Sequence, residues 1–447
     1  MASKKKFPPG PGFLTMIREF GRDPCVNLQY LANHYGHISK TPGPLGYYLL
    51  NNPDYIEYVL KVNYKNYIKT DLAYQGIRAV LGNNLLTNPD YDSWLLERKL
   101  LQPLFHHHHL SQYAAFIIEQ TQLLCQRWHI LAAQQQAINL MPEMFNLLFN
   151  ILTKTIFCGN FTEYASDFLD FIDLGNSYIG KALFLYSWLP TPHTIRFKKA
   201  KKNTHQIIAN LLEERRQQSN KQTNVDLISV LINAQQHTGS VLSNEYLIDE
   251  IKTFIVTGTE TTGTALAWLW YCLATNPDAN DSLQQELIKS LGGKIPNTMD
   301  LEKLTYTKMV FEETLRLYPP LWLISRRSLA EDHLGNYAVP AKKTIVISPY
   351  VIQRHPEYWQ APNHFNPLNF SEENKKNRIK YTYLPFGLGP RTCIGSVFAT
   401  FEAQLIIPII AQQFDFKLLA DKPIELAPLI TLRPKGGIWM KLKSRKL

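Results

Sequence analysis

Ten residues near the C-terminus, FGLGPRTCIG from Phe386 to Gly395, hold Cys393 on a turn built with Gly387, Gly389 and Gly395, and Arg391 stands two residues before the thiol. A thiolate on such a turn, with a guanidinium beside it, suits axial ligation of an anionic metal macrocycle. The sulfur carries negative charge to the metal, and the arginine meets a carboxylate on the macrocycle edge. A buried structural cysteine is the plainer alternative and the usual fate of a free thiol. It leaves the register of Phe386, Gly389, Arg391 and Gly395 unexplained. Upstream, TGTETTGT (257–264) interrupts an apolar helical stretch with glycine and β-branched residues, which are poor helix-interior choices. Local rule-breaking of this kind marks functional sites, although threonines can also bond back to their own helix and bend it. Trp94 and Arg98, four apart, share one helical face. Glu313 and Arg316, three apart, form an acid–base pair that would be worth little at a surface.

The elements that must position these residues are mostly helical. Leu110–Trp128, Met141–Phe157, Thr204–Arg216 and Leu247–Thr275 carry apolar residues at helical spacing. A further helix is predicted over Leu301–Leu317, stopped by Pro319 and Pro320. Strand-like text occurs at 37–40, 47–50, 334–350, 430–432 and 438–442. The pattern predicts a mainly α fold with a small β-rich lobe made from the two chain ends. Residues 1–12 form a basic, proline-rich lead, and 13–447 form one domain, although 447 residues would by length alone allow two or three.

A hydrophobic fraction of 45% excludes global disorder. The net charge of +10 points to an acidic partner, an anionic membrane face or nucleic acid. No nucleic-acid motif is visible, so an acidic protein partner is favoured. Cys25, Cys125, Cys158, Cys272 and Cys393 are widely spaced and include no CxxC, which argues for a reducing compartment. The start, with Lys4–Lys6 before FPPGPG, lacks the hydrophobic segment of a signal peptide, and no apolar run is long enough to span a bilayer. These features predict a cytoplasmic protein, with peripheral membrane contact as an option. Lys198, Lys199, Lys201 and Lys202 after the apolar Ala182–Leu189 could supply that contact, but a solvated loop and helix start is favoured roughly three to one. The run His106–His109 reads as a solvated helix end, because adjacent helical side chains point in different directions.

The 386–395 stretch fits FxxGxRxCxG. WxxxR at Trp94 and Arg98, [AG]Gx[DE]T at 257–261, and ExxR at Glu313 and Arg316 precede it in that order. From about Pro8 to Lys441 the chain therefore resembles the cytochrome P450 family. The resemblance implies a triangular, mainly α fold holding haem b between two long helices. It makes Cys393 the iron ligand, whose thiolate favours O–O cleavage, within a loop fixed by Phe386, Gly389 and Gly395, where backbone amides tune the sulfur. It assigns the haem propionates to Trp94, Arg98, Arg391 and Arg326, with Arg327 as the adjacent alternative. It makes Glu313–Arg316 a buried pair, completed in relatives by an arginine from a PERF-like segment. Here that segment is HFNPLNF, and Asn369 stands at the arginine position. Gly258 would leave room for dioxygen or substrate, Thr261 would position water, and Glu260 would feed protons. Thr257, where relatives carry Ala or Gly, would narrow the pocket. Substrate contacts carried over from relatives are Phe254, Thr257, Leu321, Leu323, Ile324 and Leu429. The implied activity is NAD(P)H-driven insertion of one oxygen atom from O2 into a small apolar substrate such as a fatty acid. No flavin or iron–sulfur motif is present, so a ferredoxin, flavodoxin or flavoprotein reductase would supply electrons. Three rivals share parts of this pattern: a peroxide-driven peroxygenase, a non-oxidative haem isomerase or dehydratase, and a haem-binding sensor or carrier.

Overall fold

A computed structural model describes residues 6–20, 23–105, 107–159, 161–182, 190–218, 226–237, 242–419 and 423–445. Its organising element is the helix Asn244–Thr275, 32 residues long, started by Ser243, whose hydroxyl accepts the Tyr246 amide. This central helix is apolar on nearly every face and is buried accordingly, as expected of a helix inside a core. It packs on Leu140–Thr155. Gly263 permits the contact, since a Cβ there would lie 2.5 Å from Phe145 Cδ1. The helix Ser396–Gln413 lies against His107–Ala133. The expected helices at 110–128 and 204–216 are present within His107–Ala133 and Pro192–Gln218, and the one expected at 141–157 is Leu140–Thr155, ending two residues early. The helix expected over Leu301–Leu317 begins at Thr305 rather than Leu301. Glu286 fixes that start by accepting the Tyr306 and Thr307 amides with its two carboxylate oxygens, which satisfies two of the orphan donors at a helix N-terminus.

The β-rich lobe is a five-stranded sheet in the order Ile38–Lys40, Tyr47–Leu50, Thr344–Ile347, Ile324–Ser328, Tyr67–Ile68. Inward side chains Ile38, Tyr48, Leu50, Tyr67, Ile324, Ile345 and Ile347 build its own core. The two chain ends do not make this lobe together. The late segment that joins the N-terminal strands is 324–347, and the last strands go elsewhere. Trp439–Ser444 pairs with Phe414–Leu418 and Ala137–Asn139, while Leu426–Pro428 and Leu432–Pro434 form a hairpin. Register explains the difference: Trp439 lies opposite Asn139 and Ser444 opposite Phe414, so both partners of the terminal strand come from the helical region. The strand text at 334–350 resolves into Asp332–Leu334, Tyr337–Val339 and Thr344–Ile347, with a turn at Gly335 and a short helix from Pro349. His106 and 183–189 lie outside the described residues, as do the side chains of His107–His109. Among the described residues no helix is long and apolar enough to cross a membrane.

Candidate active site

The cysteine loop is held at both ends. At its start the Leu384 amide donates to Gln353 Oε1 at 2.8 Å, and Gln353 Nε2 donates in turn to the Leu315 and Arg316 carbonyls. Inside the loop, Cys393 N donates to Phe386 O at 2.9 Å and Thr392 N to Gly389 O at 3.0 Å. Gly387 and Gly389 have φ of 76° and 75°, values that glycine adopts without steric cost. A Cβ on Gly389 would also fall 2.0 Å from the Leu60 carbonyl oxygen, so the loop rests directly on the backbone of the β-rich lobe. Gly395 closes the turn as N-cap of Ser396–Gln413. Cys393 is exposed in the structure, and desolvation by the protein atoms around its thiol still pushes the pKa up. The Gly395 amide, then the Arg98 and Lys69 charges, pull the other way.

Around the loop the chain gathers positive charge. Arg391 and Arg98 both lie over the buried Trp94 ring, at 4.1 and 5.5 Å from its centroid. Arg98 Nη1 donates to Thr392 O at 2.6 Å, and Arg391 Nη1 to Asn88 O at 2.9 Å. Arg326 is 7% exposed and donates to its neighbour's carbonyl, Ser325 O, at 2.7 Å. Strand alternation sends Arg327 to the other face, where its Nε donates to Lys342 O, so Arg326 is the arginine that joins the cluster. The fourth cation, Lys69, escaped the sequence reading. It is 6% exposed and donates to Leu86 O at 2.8 Å. Its only sequence signal is its position two residues after buried Tyr67, on the same strand-like face. Among the described residues none of the four forms a salt bridge. Burial, followed by Arg326, Arg391 and Arg98, holds Lys69 well below the ordinary lysine range. Burial and then Arg326 bring Arg391 down to about 10. Four crowded cations that meet carbonyls, the Tyr74 hydroxyl and aromatic faces but no salt-bridge partner are costly unless an anion joins them. Two carboxylates on one rigid group would satisfy them.

On the central helix, Thr257 Oγ1 donates to Thr253 O at 2.7 Å and Thr261 Oγ1 to Thr257 O at 2.8 Å. Both threonines thus bond back to their own helix, which runs unbroken through them. Glu260 points elsewhere. It is 2% exposed, and its Oε1 accepts from Thr431 Oγ1 at 2.7 Å, Asn176 Nδ2 at 2.8 Å, and Arg433 Nη2 and Nε at 2.9 and 3.1 Å. No hydrogen bond joins Glu260 to Thr261 among the described residues. Asn176, Thr431 and Arg433 were invisible from the sequence, because they approach from a distant helix and the 426–434 hairpin. Gly258 is half-buried, and a Cβ there would meet Leu152 Cδ2 at 2.9 Å, so the missing side chain lets Leu152 pack close to the central helix.

Among the expected substrate contacts, Phe254 stacks on Phe105 at 5.7 Å, one turn before half-buried Thr257. Leu321 is exposed. Ile324 belongs to the core of the β-rich lobe, and Leu323 packs on the Cys25–Leu28–Leu31 cluster, so these two are core residues rather than pocket walls. Leu429 is half-buried, and its carbonyl accepts Trp322 Nε1 at 2.9 Å.

The Glu313–Arg316 pair is fully buried. Two parallel bonds of 2.7 Å join the side chains. Arg316 also donates to the carbonyls of Gln353, Pro362 and His364 at 2.9, 2.6 and 2.9 Å. Asn369 Nδ2 reaches Glu313 Oε1 at 3.2 Å. The pair therefore ties the central helical region to the segment leading into the cysteine loop.

Comparison with known proteins agrees with this geometry. The family model described as Cytochrome P450 matches residues 7–440. Cyclooctatin synthase of Streptomyces melanosporofaciens is 30% identical over 91% of this chain and 89% of its own length. Pentalenene oxygenase of Streptomyces avermitilis is 26% identical over 95% and 94%. The human ultra-long-chain fatty acid omega-hydroxylase is 27% identical over 88% and 79%.

Proposed function

The chain belongs to the cytochrome P450 family and is a monooxygenase of that family, and we propose that it oxygenates a C–H bond of an apolar lipophile, long-chain fatty acids being the first candidates. The observation that carries this reading is the group Lys69, Arg98, Arg326 and Arg391, whose charges meet no carboxylate among the described residues and fit the two propionates of haem b. Haem bound through Cys393 supplies oxygen activation with electrons delivered by a separate redox partner. The residues of the chain do the rest. Trp94 and the four cations orient the group, and Cys393 holds its metal. Phe254 and Phe105 offer an apolar wall that excludes water beside Thr257 and Thr261. Thr261 delivers a proton at its Oγ1 by turning from the Thr257 carbonyl. Glu260, held by Arg433, Thr431 and Asn176, feeds protons towards Thr261 through water.

The name of the human relative, a fatty acid hydroxylase, supports the choice of first substrate. The net charge of +10 supports an acidic electron donor. Exposed Phe13 and Leu14, the latter 82% exposed, sit on the helix Phe13–Phe20 near the basic start, which supports peripheral contact with an anionic membrane.

The test begins with the purified, reduced protein under carbon monoxide. The long-wavelength band of a thiolate-ligated haem is expected, and Cys393→Ser should abolish it. A retained band in the serine variant would remove Cys393 from the metal. Titration with long-chain fatty acids should then drive ferric iron high-spin, and NAD(P)H oxidation should consume O2. Equal turnover on hydrogen peroxide alone would favour a peroxygenase. Product formed without O2 consumption would favour an isomerase or dehydratase.

A further inference from the structure

Asn369 brings no charge to Glu313, yet the structure supplies one from nearby. Arg378 follows the short helix Glu372–Asn377, and its Nη2 donates to the Asn369 carbonyl at 2.7 Å. Its guanidinium lies over three rings: Phe370 at 4.3 Å, Trp359 at 5.0 Å and Tyr383 at 5.3 Å. Trp359 is also 5.0 Å from the guanidinium of Arg316. One indole thus serves both arginines, as aromatic faces attract cations. Burial lowers the pKa of Arg378, and Tyr383, Glu312 and Glu313 raise it again, so the cation lies within the field of the Glu313 carboxylate.

We propose that half-buried Arg378 is a positioning residue that supplies, through the Trp359–Phe370–Tyr383 enclosure and the Asn369 carbonyl, the positive charge that Asn369 lacks, and that it thereby fixes the start of the cysteine loop. The connection to the loop is short. Tyr383 OH donates to Glu312 O at 3.0 Å, and the next residue, Leu384, is the one anchored on Gln353. With Arg378 removed, the three rings lose the cation they surround, and Tyr383 keeps its bond to Glu312 O and its ring neighbours but loses the charge over its face. A neutral residue at 378 removes one of the cations near the Glu313 carboxylate and leaves Arg316 as the one bonded to it.

The experiment compares the parent, Arg378→Met, and Arg378→Met combined with Asn369→Arg. Methionine keeps the length and apolar stem but not the charge, and the second change returns charge at position 369. Three readouts are taken: haem bound per chain, the rate at which the reduced carbon monoxide complex converts from its thiolate form to the short-wavelength inactive form, and the thermal midpoint. Arg378→Met should convert about tenfold faster, in line with loss of a charge-assisted, part-buried hydrogen bond, and should hold less haem. The double variant should recover most of both. A methionine variant indistinguishable from the parent overturns the proposal. A double variant no better than Arg378→Met also overturns it, since packing alone would then account for the loss. The spectral readouts rest on haem ligation by Cys393. If the parent itself lacks the thiolate band, that reading fails, while the thermal midpoints still decide the role of Arg378.

Discussion

Thr261 holds its hydroxyl proton on the Thr257 carbonyl, one turn back along the central helix. That bond is satisfied locally, so losing the hydroxyl leaves no buried partner stranded beyond one carbonyl already engaged in the helix. Thr261→Ala should therefore fold and bind haem normally while delivering protons poorly. The expected outcome is less product per NAD(P)H consumed and more hydrogen peroxide released, measured side by side with the parent. Unchanged coupling would take Thr261 out of the proton path. Residue types and spacing made this position legible from the sequence, as they did Cys393, Trp94, Arg98 and Glu313, because each belongs to a motif of fewer than about a dozen residues. Lys69 and Arg433 were not legible. Their partners lie far along the chain, and Arg433 meets Glu260 173 positions away.

At the scale of elements, the sequence showed that helices exist and where the long ones run, but not what caps or crosses them. Glu286 set the start of one helix from another element altogether. The same distance in sequence hid the use of the terminal strands. Two helix-level predictions follow from burial. Glu313→Gln keeps the shape but removes the charge facing the fully buried Arg316. Breaking one partner of such a pair costs about 3–5 kcal/mol, so denaturant midpoints should fall accordingly and haem retention with them. Glu250 on the central helix is buried and accepts the Leu85 amide at 2.8 Å. Desolvation, with Glu97 and Asp249 nearby, raises its pKa from 4.5 to about 8. The folded protein thus binds this proton to higher pH than the unfolded chain does. The contribution to stability is full below pH 4.5 and is lost as pH rises to about 8. The slope is at most about 1.4 kcal/mol per pH unit. Glu250→Gln should flatten that part of the stability profile. A variant with the parental slope would assign it to other groups.

Over the whole molecule, 47 basic against 37 acidic side chains give a net charge of +10. Attraction to an acidic electron donor is screened over roughly 8–10 Å at physiological salt. The bimolecular rate of reduction by an acidic ferredoxin or flavodoxin should fall as ionic strength rises. A rate that does not change with salt would mean that docking relies on apolar contact instead. The family was readable from the sequence across nearly the full chain, since motif order survives where individual contacts cannot be foreseen. The substrate was not readable, because Ile324 and Leu323 turned inward to two separate cores instead of facing a shared cavity.

Gly389 lets the loop that carries Cys393 sit against the Leu60 carbonyl with no side chain between them. The helical turn Tyr58–Val62, packed into the core of the β-rich lobe, is therefore the floor of that loop, and a fragment beginning after Ile68 would lack the surface on which Cys393 is presented.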